Sequence, residues 1–98
     1  MNEVVFISGK YRGDIEINIA YAKRAAKKLW QQGYIVICPH LNTAHFDGIC
    51  ADNIWLQGYL EILTRCDSIF MLKNWQESEG AKAELALAQK LGKRIYWE

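Results

Sequence analysis

The feature that most constrains this chain is an alternation. Four short runs of β-branched and aliphatic residues are separated, each from the next, by a segment with helical spacing. "EVVFIS", Glu3 to Ser8, closes on Gly9 and shows no polar alternation, which predicts a strand buried on both faces. From Asp14, a suitable N-cap, Ile15, Ile19, Ala22, Ala26 and Leu29 recur at helical spacing until Gly33 stops the helix. "YIVICP", Tyr34 to Pro39, predicts a second buried strand, ended by a proline that cannot donate to a ladder. Residues 40–51 lack periodicity and form the longest irregular segment. A helix over 52–65 follows, then the strand "SIFML", a loop containing Trp75, a helix carrying Glu84 and the strand "RIYWE".

Strands that alternate with helices through short connections imply a parallel sheet with helices on both faces and right-handed crossovers. The expectation is a Rossmann-like (flavodoxin-like) α/β fold of about four strands. A length of 98 residues is enough for one core and not two, so residues 1–98 are expected to form a single domain. The formal charge of +1 lacks the electrostatic footprint of a protein that binds polymeric nucleic acid. Three cysteines without C-x-x-C spacing argue against a disulfide framework and for a reducing compartment. No apolar run reaches the roughly 18 residues of a membrane span, and no signal-peptide pattern opens the chain, so no membrane partner and a cytoplasmic location are expected.

In an open parallel sheet, ligands bind outside the carboxyl ends of the strands. That rule selects "SGKYRGD", "CPHLN" and "KNWQESEG". The first places two glycines around an arginine before a helix N-terminus, a setting suited to a phosphate, although it has neither dinucleotide-fingerprint nor P-loop spacing. The third leads into Glu84, whose helical neighbours at three and four positions are Gly80, Ala81, Leu87 and Ala88. None can pair with a carboxylate, whereas Glu61 has Arg65 four residues on. Ser78 can cap the helix and Gly80 leaves space beside its first turn. Helical side chains lean toward the N-terminus, so Glu84 is expected to project over Gly80 toward the strand edge; the other reading is a carboxylate reaching solvent. A carboxylate aimed into a pocket can attack a sugar C1 if an acid assists the leaving group, and Asp47, Asp52, Asp67 and Tyr11 are the nearby candidates. Cys38, His40, His45, Asp47 and Cys50 match no standard zinc spacing, so neither metal nor cofactor is expected.

Three segments in this order, "FISGKYRG", "CDSIFML" and "WQESEGAKAELALA", span nearly the whole chain and resemble the nucleoside 2-deoxyribosyltransferase superfamily. The likeness is greatest to the small 2'-deoxynucleoside 5'-phosphate N-hydrolase branch and neighbouring short phage and bacterial proteins. It implies that Glu84 attacks the anomeric carbon of a nucleoside or nucleotide to form a glycosyl-enzyme; Tyr11 and Asp67 stand beside it as catalytic acid candidates, Asp67 the weaker because an acid just before a buried strand is commonly a turn or capping residue. It also implies that Ser8, Gly9, Arg12, Gly13, Ser78 and Gly80 surround the sugar 5' end or its phosphate, and that Tyr11, His40 and Trp75 flank the base. A homodimer or larger homo-oligomer is implied as well, for which Trp30, Trp55 and Trp97 offer apolar surface. Two departures stand out. Tyr59 occupies a substrate-contacting position where the family commonly has an aspartate that helps protonate the base, and Phe6 replaces a tyrosine beside the nucleophile. Both weaken catalysis more than binding, which leaves a non-catalytic module holding a nucleotide-derived ligand as the alternative.

Overall fold

The computed structural model describes residues 2–98. In chain order it contains β1 (Val4–Ser8), α1 (Ile15–Gln31), β2 (Ile35–Ile37), α2 (Pro39–Asn42), α3 (Asp52–Thr64), β3 (Ser68–Met71), a 3-10 turn (Lys73–Glu77), α4 (Glu79–Lys90) and β4 (Arg94–Trp97). The four strands form one sheet in the order β2-β1-β3-β4, and every pairing is parallel. The α/β architecture expected from the alternation is therefore present.

The two faces of β1 explain the layering. Successive strand residues point to opposite sides, and Val5 and Ile7 pack with Ala22, Ala25, Ala26 and Leu29 of α1. Phe6 joins Leu63 of α3 and Ala81, Leu85 and Ala88 of α4 in the second cluster. Helices thus cover both faces, as a strand without polar alternation requires. By the same period of two, Ser8 shares the face of Phe6 and looks toward α4. The Asp14 side chain accepts from the Ile17 amide to cap α1, and Gly33 leaves that helix at φ 95°, a conformation open chiefly to glycine. The local pair of Glu61 with Arg65 is made at 3.1 Å.

Three local expectations are corrected. The second strand is only three residues long and lies at the sheet edge with Ile35 exposed; among the described residues β1 is its one strand neighbour. Pro39 opens α2 rather than simply closing the strand: at the first position of a helix its missing N–H loses nothing. The segment carrying Trp75 is also more regular than a loop, since it winds into the 3-10 turn that leads to α4.

Candidate functional site

The carboxyl ends of β1 and β3 lie side by side, and the first turns of α4 rise over them. Ser78 caps α4 by accepting from the Ala81 amide at 3.1 Å, which fixes the helix start and with it the position of Glu84. Glu84 is half-buried and turned back toward the sheet, where the buried Ser8 hydroxyl donates to its Oε1 at 2.6 Å. This overturns the alternative of a carboxylate reaching into solvent. Burial pushes the Glu84 pKa up from 4.5 to about 7, opposed in part by the Ser8 hydrogen bond. At neutral pH the group therefore stands near the midpoint between acid and base.

Glu84 lines a cavity of about 520 Å³, within the range of roughly 300–1,000 Å³ usual for small-molecule sites. The loop after β1 contributes Gly9, Lys10, Tyr11 and Arg12, and α2 with its following turn contributes Pro39, His40 and Thr43. Phe46 and Asp47 come from the irregular segment, and the start of α4 supplies Ser78 to Ala81. Asp52, Trp55, Leu56 and Tyr59 form one wall, a single face of α3 by their spacing.

Polar groups around the cavity are largely engaged with one another. Tyr11 donates its hydroxyl to Asp47 at 2.9 Å and accepts from the His45 amide at 3.0 Å; burial raises its pKa, so it stays protonated. His40 is buried with Nε2 2.9 Å from the Lys10 carbonyl, which makes that nitrogen the protonated one, and burial lowers its pKa so the ring is neutral. Its ring meets Tyr11 edge-on at 6.1 Å. Lys10 pairs with Glu77 at 2.8 Å, and Arg12 pairs with Asp52 at 2.8 Å. Arg12, expected beside a phosphate, is thus met by a carboxylate from α3 in an exposed ion pair. Tyr59 packs edge-on against Phe6 at 6.3 Å, while Asn42 Nδ2 donates to its hydroxyl and Thr43 Oγ1 lies 3.0 Å from it.

Four further sequence expectations change. Asp67 precedes β3, at the amino edge of the sheet, and accepts from the Val4 amide at 2.8 Å. It stands at the opposite end of the strands from Glu84 and does not line the cavity. Trp75 packs its ring against Trp97 at 5.9 Å and against the core, not into the cavity. Gly13 shapes the turn before α1 at φ 100° without lining the cavity. The space beside Gly80 is occupied: a methyl group there would meet Leu56 Cδ2 at 3.3 Å. Ser8, Gly9, Tyr11, Arg12, His40, Tyr59, Ser78 and Gly80 do gather around Glu84, Ser8 through its hydrogen bond and the others along the cavity. Lys10, Thr43, Phe46, Trp55, Leu56, Glu77 and Glu79 were missed as lining residues, although the spacing of 52, 55, 56 and 59 on one helix was visible in the sequence. Among the described residues no group of three His, Cys, Asp or Glu side chains is placed to hold a metal ion, and no helix is long and apolar enough to cross a membrane.

Two measurements check this geometry. In Ser8→Ala the lost hydrogen bond to the ionised carboxylate, worth about 1.5–3 kcal/mol, should raise the Glu84 pKa by roughly one to two further units. Nuclear magnetic resonance titration of the side-chain carboxyl carbon would read that shift; an unchanged midpoint would mean that Ser8 does not hold the ionised form. Asp67→Ala should lower stability by about 1 kcal/mol through the orphaned Val4 amide. It should leave ligand binding as in the parent protein, and a binding loss in calorimetry would return Asp67 to the site.

The family model described as "Domain of unknown function (DUF4406)" matches residues 3–97. No curated protein matches the sequence. Among solved structures the chain is similar to a 2-desoxiribosyltransferase from Leishmania mexicana, with 17% identity and a TM-score of 0.73 over 97% of this chain and 63% of that one. The likeness is one of fold, and the chain spans less than two thirds of the transferase's length.

Proposed function

The chain belongs to the DUF4406 family, and from that footing we propose that it cleaves or transfers at the N-glycosidic bond of a nucleoside or nucleotide through a covalent glycosyl-Glu84. The observation that carries the proposal is the Glu84 carboxylate itself, with no helical neighbour to pair it, aligned by a buried serine hydroxyl at the wall of a cavity on the ligand-binding edge of the sheet. The fold shared with a deoxyribosyltransferase supports the same chemistry. In the first step a Glu84 oxygen bonds to C1 of the sugar as the C1–N bond breaks, and its electron pair departs with the base. In the second step water, or another base, attacks C1 and frees the carboxylate, and the proton that the attacking group sheds balances the one that the departing base takes up. Ser8 keeps the attacking oxygen oriented, and the aromatic wall of the cavity offers faces for base stacking.

A second reading rests on Tyr59. Its hydroxyl is committed to Asn42 and Thr43, and a phenol is a poor proton donor next to the carboxyl acid that the resembled family commonly has there. A pocket with no effective acid would hold a nucleotide-derived ligand without turnover. Acid-quenching the protein during incubation with nucleosides and weighing its peptides separates the two. The enzyme reading expects one glycosyl group added to the peptide carrying Glu84, together with free base. Tight binding with the ligand returned intact would establish the binding module instead. In either case we take residues 1–98 as one functional domain that assembles as a homodimer or larger homo-oligomer and works in the cytoplasm.

A further inference from the structure

The cavity's charges point to a particular kind of leaving group. Its two cations are already neutralised, Lys10 by Glu77 and Arg12 by Asp52, each at 2.8 Å. Asp47 and Glu79 remain on the lining with no cation of the cavity to balance them among the described residues, and Glu84 adds negative charge in the ionised form that attack on C1 requires. Asp47 receives only the neutral Tyr11 hydroxyl, and Glu79 reaches Lys82, outside the cavity, at 3.4 Å. A site with this excess of negative charge repels a phosphate and attracts a cation.

The apolar part of the lining adds a second, independent preference. Tyr11, Phe46, Trp55 and Tyr59 all face the cavity, with the Phe46 and Trp55 rings 6.2 Å apart and Phe46 left 44% exposed. Aromatic faces attract cations through their quadrupoles, most strongly when the cation is flat and poorly hydrated. A delocalised heteroaromatic cation satisfies both features at once. The tethered hydroxyl of Tyr59 supplies a third reason, since a neutral base must gain a proton or other stabilisation to leave, and a cationic base needs neither.

We propose that the substrate class is an unphosphorylated nucleoside whose base carries a positive charge at or conjugated to the glycosidic nitrogen, such as a pyridinium or N-alkylated purine nucleoside. The inference rests on the glycosidic reading above. As the C1–N bond breaks, its electron pair neutralises the departing base, so no acid is required. Glu84 forms the ester to C1; water then attacks C1, Glu84 is released as carboxylate, and the proton of that water passes to solvent. Hydrolysis of such a nucleoside therefore releases one proton per base, whereas hydrolysis of a neutral nucleoside to a neutral base releases none.

The test measures base release by chromatography, and proton release in weak buffer, for nicotinamide riboside, 7-methylguanosine, guanosine and nicotinamide mononucleotide. Wild type and Glu84→Gln are run side by side, and each rate is divided by that of the uncatalysed reaction. The expected result is a normalised kcat/KM at least about tenfold higher for the two cationic nucleosides than for guanosine or the mononucleotide, with the advantage shrinking as salt is added. Guanosine or the mononucleotide matching the cationic nucleosides would overturn this inference while leaving the glycosidic reading intact. No base release above the Glu84→Gln control from any of the four would overturn this inference, and none from 2'-deoxyguanosine run beside them would overturn the glycosidic reading as well.

Discussion

Glu84→Gln is expected to abolish base release, by about 10³-fold or more, and at the same time to make the protein more stable at alkaline pH. The kinetic half follows from chemistry: an amide keeps the shape and can still accept from Ser8, but it is not a competent nucleophile toward C1. The thermodynamic half follows from linkage. The Glu84 pKa is about 7 in the fold against 4.5 for the free group, so between those values the folded state holds a proton that the unfolded chain has released. Stability is complete below pH 4.5 and is lost as pH rises through 7, because folding then confines a charge to a poorly solvated place. Glutamine carries no such charge. The difference between variant and parent should be near zero at pH 4 and approach roughly 2–3 kcal/mol by pH 8. Denaturant melts at both pH values would read it, and comparing the two proteins cancels the other titrating groups. A variant equal to the parent at pH 8 would mean that Glu84 is better solvated than its surroundings imply. Parental turnover by the variant would remove Glu84 from the mechanism. The same ionisation should govern activity, with kcat/KM of the parent rising as pH increases through about 7.

Gly9→Ala should be the most damaging single methyl group in the site. A Cβ at Gly9 would fall 2.6 Å from Leu72 Cδ1, 2.9 Å from Leu72 Cβ and 2.9 Å from Asn74 Oδ1. Leu72 is completely buried and cannot retreat, and Asn74 is held by accepting from the Lys10 amide at 2.9 Å. Relief therefore has to come from moving the loop after β1, which carries Lys10, Tyr11 and Arg12 along the cavity. Overpacking of this kind costs about 1–3 kcal/mol, so a fall in Tm of about 10 °C is expected for a domain of this size. Ligand affinity should fall with it. A variant with a parental melt and parental affinity would show that the loop yields easily and that the close approach at Gly9 is not what positions it.

Much of this arrangement is written in local sequence patterns. Local patterns encode local backbone geometry, so the uniform apolar runs, the helical spacing from Ile15 to Leu29, the Asp14 and Ser78 caps and the Gly33 stop all correspond to elements found in the fold. The alternation of those elements sufficed for a parallel α/β sheet, because short crossovers leave few other ways to bury both faces of β1. Glu84 announced itself by what its helix lacked. A carboxylate with no partner three or four residues away either faces solvent or has a partner far along the chain, and Ser8 lies 76 positions off. Asp67 was equally placeable, since a residue ahead of a parallel strand falls at the amino edge, where an acid commonly serves as a turn or cap.

Tertiary structure alone decided the rest. Strand order made β2 an edge, and an edge strand carries the same apolar letters as a central one until its neighbours are known. The ion pairs that neutralise Lys10 and Arg12 join residues 67 and 40 positions apart, brought together by the packing of α3 and α4 over one end of the sheet. Trp75 turned toward Trp97 because a 3-10 turn redirects its side chains away from where an extended loop would point them. In each case the deciding interaction is between groups distant in sequence, and its energy depends on distances that only the assembled sheet and helices set.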